Sequence, residues 1–101
     1  MILTSENFEK EVKDGVVLID FFATWCGPCK MLAPIIEQVK TQVSSKVKIF
    51  KMDVDEAGEI AQKLGIMSVP TMIIFKDGVE KERMIGLRQQ HQIVDAINKW
   101  L

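Results

Sequence analysis

The sequence predicts an α/β fold, a central mixed sheet with helices on both faces. Three observations predict it. Apolar runs rich in β-branched and aromatic residues, at 16–23, 47–54, 71–76 and 79–85, are separated by stretches of helical periodicity. The first of them, Val16 to Ala23, is almost continuously apolar, as expected of a central strand covered on both sides. Asp77-Gly78 is a hairpin signal between the last two runs, which must therefore pair antiparallel. Strands joined through helices are expected to be parallel, with right-handed crossovers. The predicted order is β-α-β-α-β-α-β-β-α, five strands and four helices, in a single domain over residues 1–101.

Each element has its own signal. Thr4-Ser5 can cap a short helix whose Phe8 and Val12 share a face, and Asp14-Gly15 ends it. The strand of Val16 to Ala23 follows, then a helix from Met31 to Val43 with Pro34 inside it, where a proline removes a hydrogen bond and should bend the axis. Val47 to Val54 alternates Val47, Ile49 and Phe50 against Lys48 and Lys51 and reads as a strand. Ala57 to Leu64 is a short helix with Gly65 as its stop. Thr71 to Lys76 and Val79 to Ile85 form the hairpin, whose charges, Lys76-Asp77 and Glu80 to Arg83, mark an exposed face. Gln89 to Leu101 closes the chain as a helix with Ile93, Ala96, Ile97 and Trp100 on one stripe.

A chain of 101 residues is long enough for one core. A net charge of −1 gives no basic excess, which argues against nucleic acid as a partner. No apolar run approaches the roughly 20 residues a membrane span needs, and the N-terminus lacks the basic start and apolar stretch of a signal peptide. The expectation is a cytoplasmic protein with no membrane contact. In that reducing compartment a close cysteine pair is redox-active or metal-binding rather than structural.

The pair is Cys26 and Cys29, in Trp25-Cys26-Gly27-Pro28-Cys29-Lys30. At this spacing in the first turn of a helix the Cβ atoms lie about 5–6 Å apart, within reach of a disulfide that opens and closes with little movement of the fold. Free N–H groups and partial positive charge at the helix start favour thiolate over thiol. Cys26 is expected to be exposed and nucleophilic, Cys29 shielded and resolving. Half of a zinc site is the other reading, but zinc wants four ligands and only His91 remains, far along the chain, where a solvated role suits it. No metal is expected. Proline at Pro28 suits the first helical turn, and Gly27-Pro28 sets no charge or side-chain donor between the sulfurs.

Asp20 is the odd residue in an apolar strand. It is either a polar group hydrogen-bonded within the sheet, or a desolvated carboxyl whose raised pKa makes it a general base for Cys29. Lys51 on an alternating strand is by itself a solvated side chain. Pro70 can simply open an edge strand. The methionines read mostly as core filler.

Taken in order, these residues resemble the thioredoxin family over nearly the whole chain. The resemblance rests on Trp25 to Lys30, on Asp20 six residues before Cys26, on Pro34, on Lys51 and Asp55 in Phe50-Lys51-Met52-Asp53-Val54-Asp55, on Gly65-Ile66-Met67-Ser68-Val69-Pro70-Thr71, and on Gly78 and Gly86. Phe22 departs from it, since many members carry tryptophan there. The resemblance implies the thioredoxin fold and a reducing cysteine pair. It implies that Lys51 tunes Asp20, that Pro70 is cis and faces the cysteines, and that Val69 offers its backbone to an extended substrate. Trp25, Gly65, Ile66, Met67 and Gly86 would form the apolar rim of that groove.

The expected function is a protein-disulfide reductase and electron carrier, a monomer with no bound cofactor. Its partners would be disulfide-containing client proteins and a flavin-containing thioredoxin reductase. Two rivals are a non-enzymatic binding module or dedicated redox subunit that only uses the groove, and a disulfide-forming oxidase. Both cysteines speak against the first, and the absence of histidine between them against the second.

Overall fold

The computed structural model describes residues 1–101. Its elements are α1 (Phe8–Val12), β1 (Val16–Phe22), α2 (Gly27–Gln42), β2 (Lys48–Asp53), α3 (Gly58–Leu64), β3 (Thr71–Lys76), β4 (Val79–Ile85) and α4 (Gln90–Asn98). The strands form one sheet in the order β2-β1-β3-β4.

The sheet has four strands where five were expected. The N-terminal segment contributes one parallel bridge, Ile2 to Lys51, in which Leu3 N–H donates to the Lys51 carbonyl at 2.7 Å and Lys51 N–H to the Met1 carbonyl at 3.0 Å. Residues 1–3 are too few to extend the ladder, so the edge of β2 is only partly capped.

A second correction concerns direction. β2 is parallel to β1, but β3, which also follows a helix, runs antiparallel to β1. The reason lies in where the chain re-enters the sheet. β2 ends at Asp53 beside Phe22, and after α3 the chain returns to that same end, so β3 starts at Thr71 beside Phe21 and runs the other way. That end holds the cysteines. β4 then pairs antiparallel with β3 as expected, through a turn with Asp77 at φ +50° and Gly78 at φ +85°.

Strand parity builds two cores. Val17, Ile19 and Phe21 of β1, Phe50 and Met52 of β2, and Ile73 and Phe75 of β3 face Phe8, Val12 and Ile60 of α1 and α3. Val16 and Leu18, with Met72 and Ile74, face Leu32, Ile36 and Val39 of α2 and Ile93, Ala96 and Ile97 of α4. On the α2 face Val47, just before β2, is buried and Ile49 is half-buried, while Phe50 and Met52 face the other core.

Element ends also differ. Asn7, not Thr4 or Ser5, stands at the N-cap position of α1, but its side chain makes no capping bond to the helix; Asn7 Oδ1 accepts the Thr4 N–H at 2.8 Å instead. α2 starts four residues earlier than Met31, at Gly27, with Pro34 inside it. α4 opens with a reciprocal cap between Gln89 and Gln92 and ends before Trp100, which is half-buried against the α2–α4 core. The hairpin charges are not a bare exposed face. Arg83 Nη2 donates to the Leu64 carbonyl and to Glu80, both at 2.8 Å, and Glu82 accepts from Lys99 and from Trp100 Nε1 at 3.0 and 3.1 Å. These bonds tie β4 to the last turn of α3 and to the chain's C-terminal end.

Candidate active site

β1 ends at Phe22, and the chain passes through Ala23, Thr24 and Trp25 into α2. Cys26 is the N-cap, in extended conformation (φ −88°, ψ 115°), and its Sγ accepts the Cys29 backbone N–H at 3.1 Å. Cys26 and Cys29 are joined as a disulfide, with Cα atoms 5.3 Å apart. They pack with Ala23 against Phe22, Val54 and Val69.

The expected contrast in exposure is absent. Cys26 is 4% and Cys29 6% exposed, because the bridge draws both sulfurs under the same apolar cover. What distinguishes them is position. Cys26 Sγ sits outside the first turn and receives a backbone N–H, whereas Cys29 lies within the helix.

Asp20 shares its parity with Val16 and Leu18, so its carboxyl faces α2. It is 1% exposed, and Oδ1 has no hydrogen-bond partner. Burial pushes its pKa up to about 6, against the pull of the Lys51 ammonium. Lys51 is its register neighbour on β2, and the Lys51 Nζ lies 5.9 Å from the centre of the Phe22 ring. A cavity of about 260 Å³ is lined by Asp20, Phe22, Cys29, Lys30 and Lys51 among others. It is large enough for water, so the carboxyl and the second cysteine share one space through which a proton can pass.

On the other side of the disulfide lies a groove. Trp25, Val54, Ile66, Met67, Ser68 and Val69 line it, and the Val69 carbonyl oxygen is 3.7 Å from Cys26 Sγ. The Val69–Pro70 bond is cis. Gly65, at φ +69°, caps α3 and starts this loop. Thr71 Oγ1 donates to the Ser68 carbonyl at 2.7 Å, and Gly86 N–H to the Pro70 carbonyl at 2.9 Å. Trp25 is 70% exposed but anchored, its Nε1 donating to Asp55 Oδ2 at 3.0 Å.

A model of the family described as Thioredoxin matches residues 1–99. This chain belongs to the thioredoxin family. Among similar proteins, the thioredoxin of Listeria monocytogenes serovar 1/2a is 46% identical, over 98% of this chain and 96% of its own length. That of Rickettsia felis is 48% identical over 96% and 94%, and that of Bacillus subtilis 45% identical over 97% and 94%. As a thioredoxin the chain is a thiol-disulfide oxidoreductase. It works by dithiol–disulfide exchange, the redox-active group is the cysteine pair itself, and it reduces protein disulfides.

The thioredoxin fold brings together the residues singled out from sequence. Asp20 and Lys51 meet across neighbouring strands, and Trp25, Ile66, Met67 and Val69 meet in one groove. Gly65, Pro70 and Gly86 shape the loops around it rather than line it. Two residues that line the groove, Val54 and Ser68, and the Asp55 that anchors Trp25 were missed. Asp55 stood within a quoted segment but without a role, and only the fold shows its carboxylate on the Trp25 indole. Val54 and Ser68 carried no chemical signal at all. No helix is long and apolar enough to cross a membrane.

Proposed function

We propose that this single domain, residues 1–101, reduces client disulfides with Cys26 as nucleophile, Cys29 as resolving thiol and Asp20 as the base that serves Cys29. In the dithiol form the Cys26 thiolate, supported by the Cys29 N–H and the helix start, attacks one sulfur of the client disulfide. The client's other sulfur leaves as thiolate, and a mixed disulfide forms. Cys29 gives its proton to the Asp20 carboxylate through the shared cavity and attacks Cys26 Sγ. The client's second thiolate leaves, the Cys26–Cys29 disulfide closes, and two electrons have passed to the client.

The observation that carries this reading is the pairing of an N-cap sulfur holding a backbone N–H with a buried carboxyl that shares a cavity with the second cysteine. Lys51 keeps Asp20 from rising further and so keeps it usable as a base near neutrality. Trp25 with Gly27 and Pro28 holds the approach to Cys26, and an extended client segment lies along Val69, between Trp25 and Met67, with Gly65, Ile66, Pro70 and Gly86 setting the loop. No further cofactor is needed for the exchange. A monomer acting in the cytoplasm suits a pair that must be returned to the dithiol state, with a flavin-containing thioredoxin reductase as electron donor. The test is reduction of insulin with dithiothreitol as electron source. A wild-type rate no greater than that of the Cys26→Ser/Cys29→Ser double variant overturns the reading.

A further inference from the structure

Met67 is 95% exposed, the most of any large apolar side chain here, yet it lines the groove beside the disulfide. Met52, Met72 and Met84 are buried in the two cores, while Met1 and Met31 are more than half exposed. An exposed thioether is open to peroxides, whereas a buried one is shielded. While Cys26 and Cys29 are bridged, their sulfurs are not available as thiolates. In the disulfide state the accessible sulfur nucleophile nearest the client path is therefore the Met67 thioether.

We propose that Met67 is a peroxide-sensitive site that weakens client binding when oxidised. The Met67 sulfur attacks one oxygen of hydrogen peroxide, the O–O bond breaks, and the sulfur gains that oxygen as a sulfoxide. The other oxygen takes the transferred proton and leaves as water. The thioether loses two electrons and the peroxide gains them. A flexible apolar rim side chain becomes a polar hydrogen-bond acceptor, and the contact it offers opposite Trp25 no longer favours an apolar client residue. The chemistry at Cys26 does not pass through Met67 and is left intact. The inference rests on the groove reading above.

The experiment treats the disulfide form with hydrogen peroxide, removes the peroxide and maps sulfoxides by peptide mass spectrometry. Activity is then read on insulin and on a small aromatic disulfide that needs no groove, each variant against its own untreated state. Expected are a sulfoxide at Met67 and a KM for insulin raised about fivefold, the loss of part of one buried apolar side chain. kcat and the small-disulfide rate should hold, and Met67→Leu should show no rise while Met31→Leu still does. The proposal is overturned if Met67 stays unoxidised, if its oxidation leaves KM unchanged, or if Met31→Leu protects and Met67→Leu does not. An untreated Met67→Gln protein with wild-type KM would instead remove the groove reading itself. Failure of the untreated wild type to reduce insulin would remove the functional one.

Discussion

Asp20 ionises with difficulty because its carboxyl has left water without gaining a partner on Oδ1. Its folded pKa, about 6, stands above the ordinary 3.8. The folded protein therefore holds this proton more tightly than the unfolded chain. No penalty exists below pH 3.8. Stability falls as pH rises from there through about 6 and then stays lower. The loss is on the order of 3 kcal/mol. Asp20→Ala should thus be more stable than wild type in the disulfide form, by about 2–3 kcal/mol at pH 8 and by much less at pH 4. Urea titration at the two values checks this, and a less stable variant at pH 8 would make Asp20 a structural hydrogen-bond partner. The same variant should turn over insulin more slowly.

At Cys29 the expectation is kinetic: Cys29→Ser should leave clients trapped on Cys26 as mixed disulfides, since the resolving thiol is gone. Recovery of dithiol-sensitive adducts by electrophoresis is the measurement, and their absence would reverse the assignment of roles. Both cysteines were legible from spacing alone. Their equal burial was not, because cover by Phe22, Val54 and Val69 comes from three separate segments.

Among the elements, α3 and its cap decide where the groove lies. Gly65 stands at φ +69°, and a Cβ there would meet no neighbour within 4 Å, so a side chain is opposed by backbone strain and not by crowding. Gly65→Ala should cost about 1 kcal/mol, read as a lower denaturant midpoint at unchanged slope. A neutral result would mean the loop relaxes away from the left-handed cap. The Arg83 bond to the Leu64 carbonyl braces the same turn from β4. The helix stop at Gly65 was visible in the sequence. The brace was not, because Glu80 to Arg83 looks like any solvated hairpin edge until β4 is laid beside β3 next to α3.

For the whole molecule, the N-terminal segment is stitched on by one bridge, but Leu3 is 2% exposed in the core shared with Phe8, Phe50 and Met52. Leu3→Ala should cost about 2–5 kcal/mol, far more than its place near the terminus suggests, with insulin reduction kept in the folded fraction. Chemical denaturation followed at Trp25 and Trp100 measures it. A loss under 1 kcal/mol would show that the segment frays and that its side chain does not stabilise the core.

The α/β class, the hairpin, the cysteine pair at a helix start and the single carboxyl in an apolar strand were all legible in the order of residues alone. Those signals are local: periodicity, turn chemistry, and a charge where none belongs. The direction of β3, the reduction of the fifth strand to one bridge, the Asp55 anchor on Trp25 and the shared cover over Cys26 and Cys29 emerged only in the folded molecule. Each of these depends on which segments, distant along the chain, come to lie side by side. Spacing along a sequence does not encode that adjacency; packing does.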